Sequence, residues 1–193
     1  KLMGSIKLPH ASGNSMSIGA PATNPASDLE LKLPATIGTA RQVLKNSSTA
    51  GTLEFADPVF FKAGLTANST SVETLVFTNE VFDNGNNYDT STGKFTCPVA
   101  GVYFFSASIM RNSASGNAQV SIRRIRSGSE SIVAIALQGN PSGVNEYAMI
   151  PCTAMESCNA NDEFFVKNDG GSIYGSSSGN NVYYSQFMGV LLA

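Results

Sequence analysis

Short runs in which apolar residues occupy alternate positions recur through the chain from residue 58 onward, and clusters of Gly, Asn, Asp and Ser separate them. Alternation of period two predicts β-strands with one buried face, and the clusters between them predict turns. The predicted strands are 59–65, 74–77, 94–97, 101–111, 118–126, 131–137, 147–155, 163–168 and 182–192. This number of strands at this spacing predicts an all-β fold, a two-sheet sandwich or jelly roll.

Composition agrees with an all-β fold and excludes several functional classes. The 193 residues include 25 Ser, 17 Asn and 18 Gly, so turn formers and β-compatible polar residues replace the Glu and Lys of helical surfaces. Hydrophobic residues make up 42%, charged residues 13%, and the net charge is −2. These values exclude a disordered tail and a nucleic-acid binder with a basic surface. No apolar run approaches the roughly 18–20 residues that cross a bilayer, and residues 1–13 lack a secretory apolar stretch, so no membrane insertion is expected.

The histidine content argues against an enzyme. His10 is the single histidine, and it lies in a Gly- and Ser-rich segment that would not hold it in place. A Ser-His-Asp or Cys-His nucleophile is therefore not expected, because the base must be held within reach of the nucleophile. Phosphate-binding and dinucleotide-binding motifs are also missing from the sequence. We assign no catalytic residue; a carboxylate pair acting on glycans is the remaining catalytic alternative.

Neither a metal nor a cofactor is assigned. The three cysteines, Cys97, Cys152 and Cys158, do not have the spacing of metal ligands. Cys152 and Cys158 could pair across a local bend, although buried free thiols are the favoured interpretation. Calcium is possible but is not assigned, because no loop has an EF-hand spacing. The acidic residues considered for it are Asp83, Asp89, Asp162 and Asp169.

Residues 1–57 form a separate region with few large apolar residues. In residues 29–33, leucines alternate with charged residues, which predicts a strand ending at Pro34, and two further short strands are predicted around residues 43–44 and 53–55. Alone, this region could not bury enough surface to fold, so it is either a flexible linker or a β-rich stalk intertwined with copies of itself. The regular leucines favour the stalk. Its predicted contact residues are Leu29, Leu31, Leu33, Val43, Leu44, Leu53 and Phe55.

One stretch of residues 58–193 resembles a known family. YDTSTGKFTCPVAGVYFFSASI, which begins at Tyr88, resembles the signature of the globular head of complement C1q and its tumour-necrosis-factor-like relatives. NANDEFFV resembles a late strand of that family that usually begins Gly-Asp, with Asn161 in place of Gly. The closing SQFMGVLLA resembles the family's last strand.

The resemblance implies a jelly roll that assembles as a tight homotrimer and serves as a recognition head rather than a catalyst. Aromatic residues at alternate strand positions are independently expected in the core or at the subunit interface. The residues assigned to the core or trimer interface are Phe95, Tyr103, Phe105, Phe164, Phe187, Gly101 and Gly189.

The N-terminal region resembles stalk segments of bacteriophage fibre proteins, especially those of marine phages. The resembling pieces are LKLPAT, GTARQVLKN and GTLEFA, with Arg41 where Gly is the more familiar residue. The collagen triplets of many animal C1q proteins are missing from this sequence. The resemblance implies a fibre on the virion surface, of the tail or the capsid.

A trimeric head would present three shallow sites and bind repeated ligands with avidity. The first candidate site is the segment 168–181, where Tyr174 stands among Ser, Gly and Asn, a composition of adaptable recognition surfaces. A flexible loop without a ligand is the alternative. Arginines could bind anionic sugars, although ion pairs are favoured for them. The candidate receptor-binding residues are Asn168, Asp169, Tyr174, Asn180, Asn181, Arg123, Arg124 and Arg126.

The leading functional hypothesis is a homotrimeric bacteriophage fibre. Its N-terminal segment would dock to other virion proteins, and its head would bind a glycan or protein of the host cell surface. Three alternatives stay open: a capsid decoration fibre without a receptor, a soluble C1q-like recognition lectin, and a hydrolase of envelope polysaccharide.

Overall fold

The computed structural model describes residues 5–9, 12–19, 21–23, 25–112, 116–139, 147–176 and 183–192. The chain divides into two compact units, unit 1 (Lys1–Ala56) and unit 2 (Asp57–Ala193). Within the described ranges every regular element is a β-strand, and no helix there is long and apolar enough to cross a membrane.

The strands are numbered in chain order. Those of unit 1 are β1 (Ser5–Pro9), β2 (Ser15–Gly19), β3 (Val43–Asn46) and β4 (Leu53–Ala56). Those of unit 2 are β5 (Phe60–Gly64), β6 (Glu73–Thr74), β7 (Asn79–Asn84), β8 (Tyr88–Asp89), β9 (Lys94–Thr96), β10 (Gly101–Arg111), β11 (Ala118–Arg126), β12 (Ser129–Gln138), β13 (Ala148–Cys158), β14 (Glu163–Gly170), β15 (Ile173–Tyr174) and β16 (Gln186–Leu191).

Unit 2 is a sandwich of two antiparallel sheets. Sheet A has the order β13-β10-β16-β5-β7, with β15 added to β10, and sheet B has the order β12-β11-β14-β9-β8, with β6 added to β14. The long connections between sheets produce a jelly roll. The all-β jelly-roll prediction is confirmed.

The core lies between the two sheets because strands of both alternate in burial. In β10, Tyr103, Phe105, Ala107 and Ile109 are buried, while the residues between them are partly exposed. This alternation turns every second side chain of β10 to the outer face of sheet A. The outer face of sheet A therefore carries a second set of side chains, and their polarity decides which kind of surface can pack against this sheet.

Several predicted strand bounds differ from the structure. The predictions for 101–111 and 118–126 match β10 and β11. The predicted strand 74–77 is wrong, since regular pairing ends at Thr74. The hydroxyl of Tyr88 takes the place of a neighbouring strand there: it accepts a hydrogen bond from the Phe77 N–H and donates one to the Phe77 carbonyl, both at 3.2 Å. Strands β7, β8 and β15 were not predicted, because they are short or rich in polar residues.

Unit 1 contains two hairpins, β1–β2 and β3–β4. The predicted strand through Leu29, Leu31 and Leu33 is wrong for the single chain. Among the residues that the structure describes, only Lys32 of this segment pairs, through an isolated parallel bridge to Thr52, and no described strand continues the ladder. The three leucines are 62–76% exposed.

The other predicted stalk residues lie in the β3–β4 hairpin. Val43 and Leu44 of β3 are about half exposed, and Leu53 and Phe55 of β4 are half-buried. A Cβ on Gly38 would lie 2.5 Å from the Phe55 ring, so this ring packs directly on glycine backbone. Much of the apolar surface of unit 1 is therefore open in the single chain.

Candidate functional site

The five aromatic residues assigned to the core or interface lie in the core of the single chain. Phe95, Tyr103, Phe105, Phe164 and Phe187 are each 0% exposed. The rings of Phe105 and Phe164 stack at a centroid distance of 4.1 Å, which joins the two sheets. None of these five side chains can contact a ligand without disrupting the fold.

The two assigned glycines lie in sheet A. Gly101 is half-buried at the start of β10. Gly189 in β16 is buried, and a Cβ there would come within 2.7 Å of the rings of Phe105 and Phe61. Gly189 therefore lets these rings approach the strand closely.

The three candidate arginines are held by carboxylates of the same chain. Arg123 binds Asp169 and Glu130. Arg124 lies 3.2 Å from Glu156, and Arg126 binds Asp162. These pairs occupy the guanidinium groups within the chain, so we remove the arginines from the receptor-binding candidates.

The assignment of Asn168 and Asp169 to receptor binding is corrected. Asn168 is 0% exposed, and its amide donates hydrogen bonds of 3.1 Å to the Ser69 hydroxyl and to the Gly171 carbonyl. The Asp169 side chain is 9% exposed and bound to Arg123. Both side chains are bound within the sandwich instead of facing a ligand. Asn180 and Asn181 lie outside the described residues.

Tyr174 keeps its place as a candidate because it is partly exposed at an open, concave site. The site has a volume of about 270 Å³ and is lined by Met110, Tyr147, Tyr174 and Tyr184, here called the tyrosine cluster. Sequence reasoning missed Tyr147 and Tyr184. Tyr147 belongs to a distant segment, and Tyr184 lies shortly after Tyr174 but just beyond the segment 168–181 that was considered.

The outer face of sheet A carries a larger apolar groove. A concavity of about 290 Å³ is lined by residues of β5, β7, β10 and β16, here called the sheet A groove. Its lining residues are Phe60, Phe61, Phe82, Phe104, Met188, Gly189 and Val190. Phe60 and Phe82 meet edge to face at 5.6 Å, and Phe82 is 46% exposed. A single chain thus leaves aromatic surface in contact with water.

Strands β13, β10 and β16 extend this apolar character over the outer face. Their outward positions follow from the burial alternation and the pairing register, which sets Met155 opposite Phe104 and Val190 beside it. None of these positions carries a charge: they are Met149, Pro151, Thr153, Met155, Ser157, Val102, Phe104, Ser106, Ser108, Met110, Gln186, Met188 and Val190. Depletion of charge together with enrichment in Met is typical of the centre of a protein interface. Phe104 could have been found from the sequence, as the aromatic residue between two core positions of β10.

A second apolar surface lies on the edge strand of sheet B. Ile132, Ile135 and Leu137 of β12 are 51–61% exposed. They stand opposite Arg123, Ser121 and Gln119 of β11, so all three point to the same face. We call these three residues the β12 row. The β12 row differs in shape from the sheet A groove, because the β12 row lies along an edge strand and the sheet A groove is concave.

The cysteines and acidic residues form no metal site among the residues that the structure describes. All three thiols are free and buried. The neighbour of Cys158 is Cys97 rather than Cys152. The hydrogen bond between Cys97 and Cys158, together with burial, raises the pKa of Cys97. Asp162 lies against Arg126, which lowers the pKa of its carboxyl. The carboxylate of Asp89 accepts hydrogen bonds from Ser91 and Thr92.

Comparisons with known proteins identify the fold of unit 2. The globular domain of zebrafish complement 1qA has a TM-score of 0.53 and 16% identity, covering 71% of this chain and 98% of its own. Murine APRIL at pH 5.0 has a TM-score of 0.56 and 12% identity, covering 70% and 100%. Eiger TNF from S. frugiperda has a TM-score of 0.57 and 12% identity, covering 70% and 93%. At these identities the likeness establishes the fold. The C1q domain family matches residues 60–192, and this chain therefore belongs to the C1q domain family.

Proposed function

We propose that this chain is a homotrimeric bacteriophage fibre on the virion surface, whose C1q domain attaches to the host cell surface. Unit 1 forms an intertwined β stalk that docks to other virion proteins. The proposal depends most on one observation: unit 2 leaves two unlike apolar surfaces open, the sheet A groove and the β12 row.

Two unlike surfaces on one chain favour assembly into a ring. When the groove of one copy packs against the row of the next, the contact is heterologous, and such contacts close into a ring when the rotation between copies permits it. The part of the outer face of sheet A that β13, β10 and β16 form, which carries no charge, then becomes the interior of the assembly. Three copies are the number that the family resemblance implies.

The apolar residues of unit 1 support a stalk that needs several chains. Leu29, Leu31, Leu33 and Ile37 are 62–95% exposed in the single chain. A row of exposed aliphatic side chains is unfavourable in water and is typical of surfaces that pack against a partner. The similarity of LKLPAT, GTARQVLKN and GTLEFA to phage fibre stalks favours further copies of this chain as that partner.

A trimeric head on a stalk suits attachment to a surface with repeated ligands. Three equal sites of weak affinity gain avidity when the surface presents several ligands at matching distances. We place recognition at the tyrosine cluster because Tyr147 and Tyr184 are 54% and 38% exposed.

Cell binding tests this function. Fluorescently labelled full-length protein is titrated onto a panel of intact bacterial cells, and bound label is measured with and without excess unlabelled protein. We expect saturable binding to at least one strain, and much weaker binding by F104D, in which a charge in the sheet A groove should separate the subunits. The control is V72D, which places the same charge on an exposed loop residue. A trimer that binds no strain saturably would contradict the receptor role and favour the decoration fibre.

A further inference from the structure

The tyrosine cluster has the geometry of a small-molecule site with open aromatic faces. Ring centroids of Tyr147 and Tyr174 lie 5.2 Å apart with planes at 71°, and those of Tyr174 and Tyr184 lie 5.5 Å apart at 57°. The first pair is edge to face and the second is tilted, so neither pair is stacked face on face. The aromatic faces therefore stay available around a concavity of about 270 Å³.

The backbone that carries Tyr174 and Met110 is held in place before any ligand binds. Tyr174 pairs with Met110 of β10, and the preceding residue, Ile173, bridges to Ser69 with N–H to carbonyl distances of 2.7 and 3.0 Å. The buried hydroxyl of Ser185 accepts a hydrogen bond from the Met110 N–H at 2.9 Å and donates one to the Tyr174 carbonyl at 2.6 Å. A site that is already ordered loses less conformational entropy on binding.

The chemistry of the lining selects the ligand class. The lining consists of three phenol rings and a thioether, and none of these side chains is a carboxylate, ammonium or guanidinium group. The negative face of an aromatic ring attracts polarised C–H groups, and phenol hydroxyls both donate and accept hydrogen bonds. A pyranose ring presents C–H groups on its faces and hydroxyls at its edge. A quaternary ammonium ion is the rival, since aromatic rings also attract cations. Among the residues that the structure describes, no carboxylate lines the site to add to that attraction.

The cluster lies within unit 2 at the opposite end of the strands from the residue at which the chain enters this unit. The chain enters unit 2 at Asp57 beside the start of β5, and Phe60 aligns with Val190 and, through it, with Phe104 of β10. Met110 lies six residues further along β10, about 20 Å from Phe104 at roughly 3.3 Å per residue. The cluster is therefore at the strand end away from residue 57 and beyond the sheet A groove.

We propose that the tyrosine cluster binds one neutral pyranose ring of a surface glycan. This inference rests on the proposed function, which it deepens by naming the ligand class. The volume is close to the lower end for small-molecule sites, about 300 Å³, and fits a single sugar ring better than an oligosaccharide. One ring on a shallow site binds weakly, with a dissociation constant on the order of 10 mM, so that attachment depends on several sites acting together.

Saturation-transfer NMR with full-length protein tests the proposal. The probes are the methyl α-pyranosides of glucose, galactose and mannose, with tetramethylammonium chloride as the rival ligand. Because the chain contains six tyrosines and no tryptophan, tyrosine fluorescence reports the same titration from the protein side. We expect at least one pyranoside to transfer saturation through its C–H face and tetramethylammonium to give no saturable signal.

Variants assign the signal to the cluster. Y147A and Y184A should weaken binding by about tenfold or more, while Y147F, which keeps the ring, should stay within about threefold. The control is V99A, because Val99 is exposed and precedes the start of β10, at the end of the strand away from the cluster. If Y184A does not fold, Y147A decides, since Tyr147 is 54% exposed.

Three outcomes overturn the proposal: no pyranoside binds, tetramethylammonium binds instead, or Y147A binds sugar as tightly as the wild type. The mass and cell binding of the same preparation separate this failure from failure of the proposed function. A trimer that binds cells equally well with and without Tyr147 and Tyr184 refutes the sugar site and leaves the fibre function standing.

Discussion

Arg126 and Asp162 join the end of β11 to the turn before β14 through a buried carboxylate. The Asp162 side chain is 3% exposed, and Nε of Arg126 lies 3.0 Å from both of its oxygens. The N–H of Asn159 donates a further hydrogen bond of 2.8 Å to the same carboxylate. The Arg126 guanidinium, followed by this backbone hydrogen bond, lowers the pKa of Asp162 against the opposing effect of burial.

This pair predicts loss of stability in acid. Since the pKa of Asp162 is lower in the folded state, its contribution is fully present above the unfolded pKa, about 3.9, and is lost as the pH falls through the folded pKa. We expect D162N to lower the free energy of unfolding at neutral pH by about 2–3 kcal/mol, because the amide cannot form the ion pair with Arg126. The expected loss is smaller than for a fully buried ion pair because Arg126 is partly exposed. Urea unfolding at fixed protein concentration, repeated from neutral to acidic pH, measures both effects. An equal pH dependence in D162N and the wild type would contradict this role.

Asn161 adopts a left-handed backbone conformation with φ of 69°. This explains why Asn can replace the Gly of the family pattern, since Asn tolerates this region better than other residues with a Cβ. We expect N161G to unfold within about 0.5 kcal/mol of the wild type and N161A to lose about 1 kcal/mol. Thermal unfolding of both variants checks this, and equal stability of N161A and N161G would contradict a backbone role.

Phe187 lies at the centre of the aromatic core, with its ring edge to face with Phe61 at 5.0 Å and 5.9 Å from Phe77. We expect F187A to lower the free energy of unfolding by about 3–5 kcal/mol, because a cavity remains between the two sheets. The matched control is L192A, just beyond the same strand, where the side chain is 53% exposed and the cost should be below about 1 kcal/mol. Similar losses in both variants would contradict the core assignment.

The sequence allowed prediction of what depends on local pattern. Strands β10 and β11 were predicted with their bounds because apolar residues recur along both and turn-forming residues flank them. The strand predicted at residues 29–33 was wrong because alternation indicates which side chains share a face of a strand. It does not show whether a neighbouring strand is present to pair with it. Arg41 has a φ of 75°, a backbone conformation that is not evident from its side chain.

The candidate site was less predictable because its contacts are distant in sequence. Asn168 stands in a polar stretch and was expected to be exposed, yet its amide binds Ser69, 99 residues away. Tyr147 and Tyr184 belong to different loops and meet Tyr174 only because the sheet brings them to β10. The pattern of residues along the sequence does not show which residues of different segments come into contact.

Sedimentation equilibrium of the intact chain tests most directly whether copies cover the two apolar surfaces. The account predicts a mass three times the 20.2 kDa of one chain, with F104D at the mass of one chain and V72D still at three times that mass. A wild-type protein that stays monomeric and fully folded at all concentrations would contradict the account.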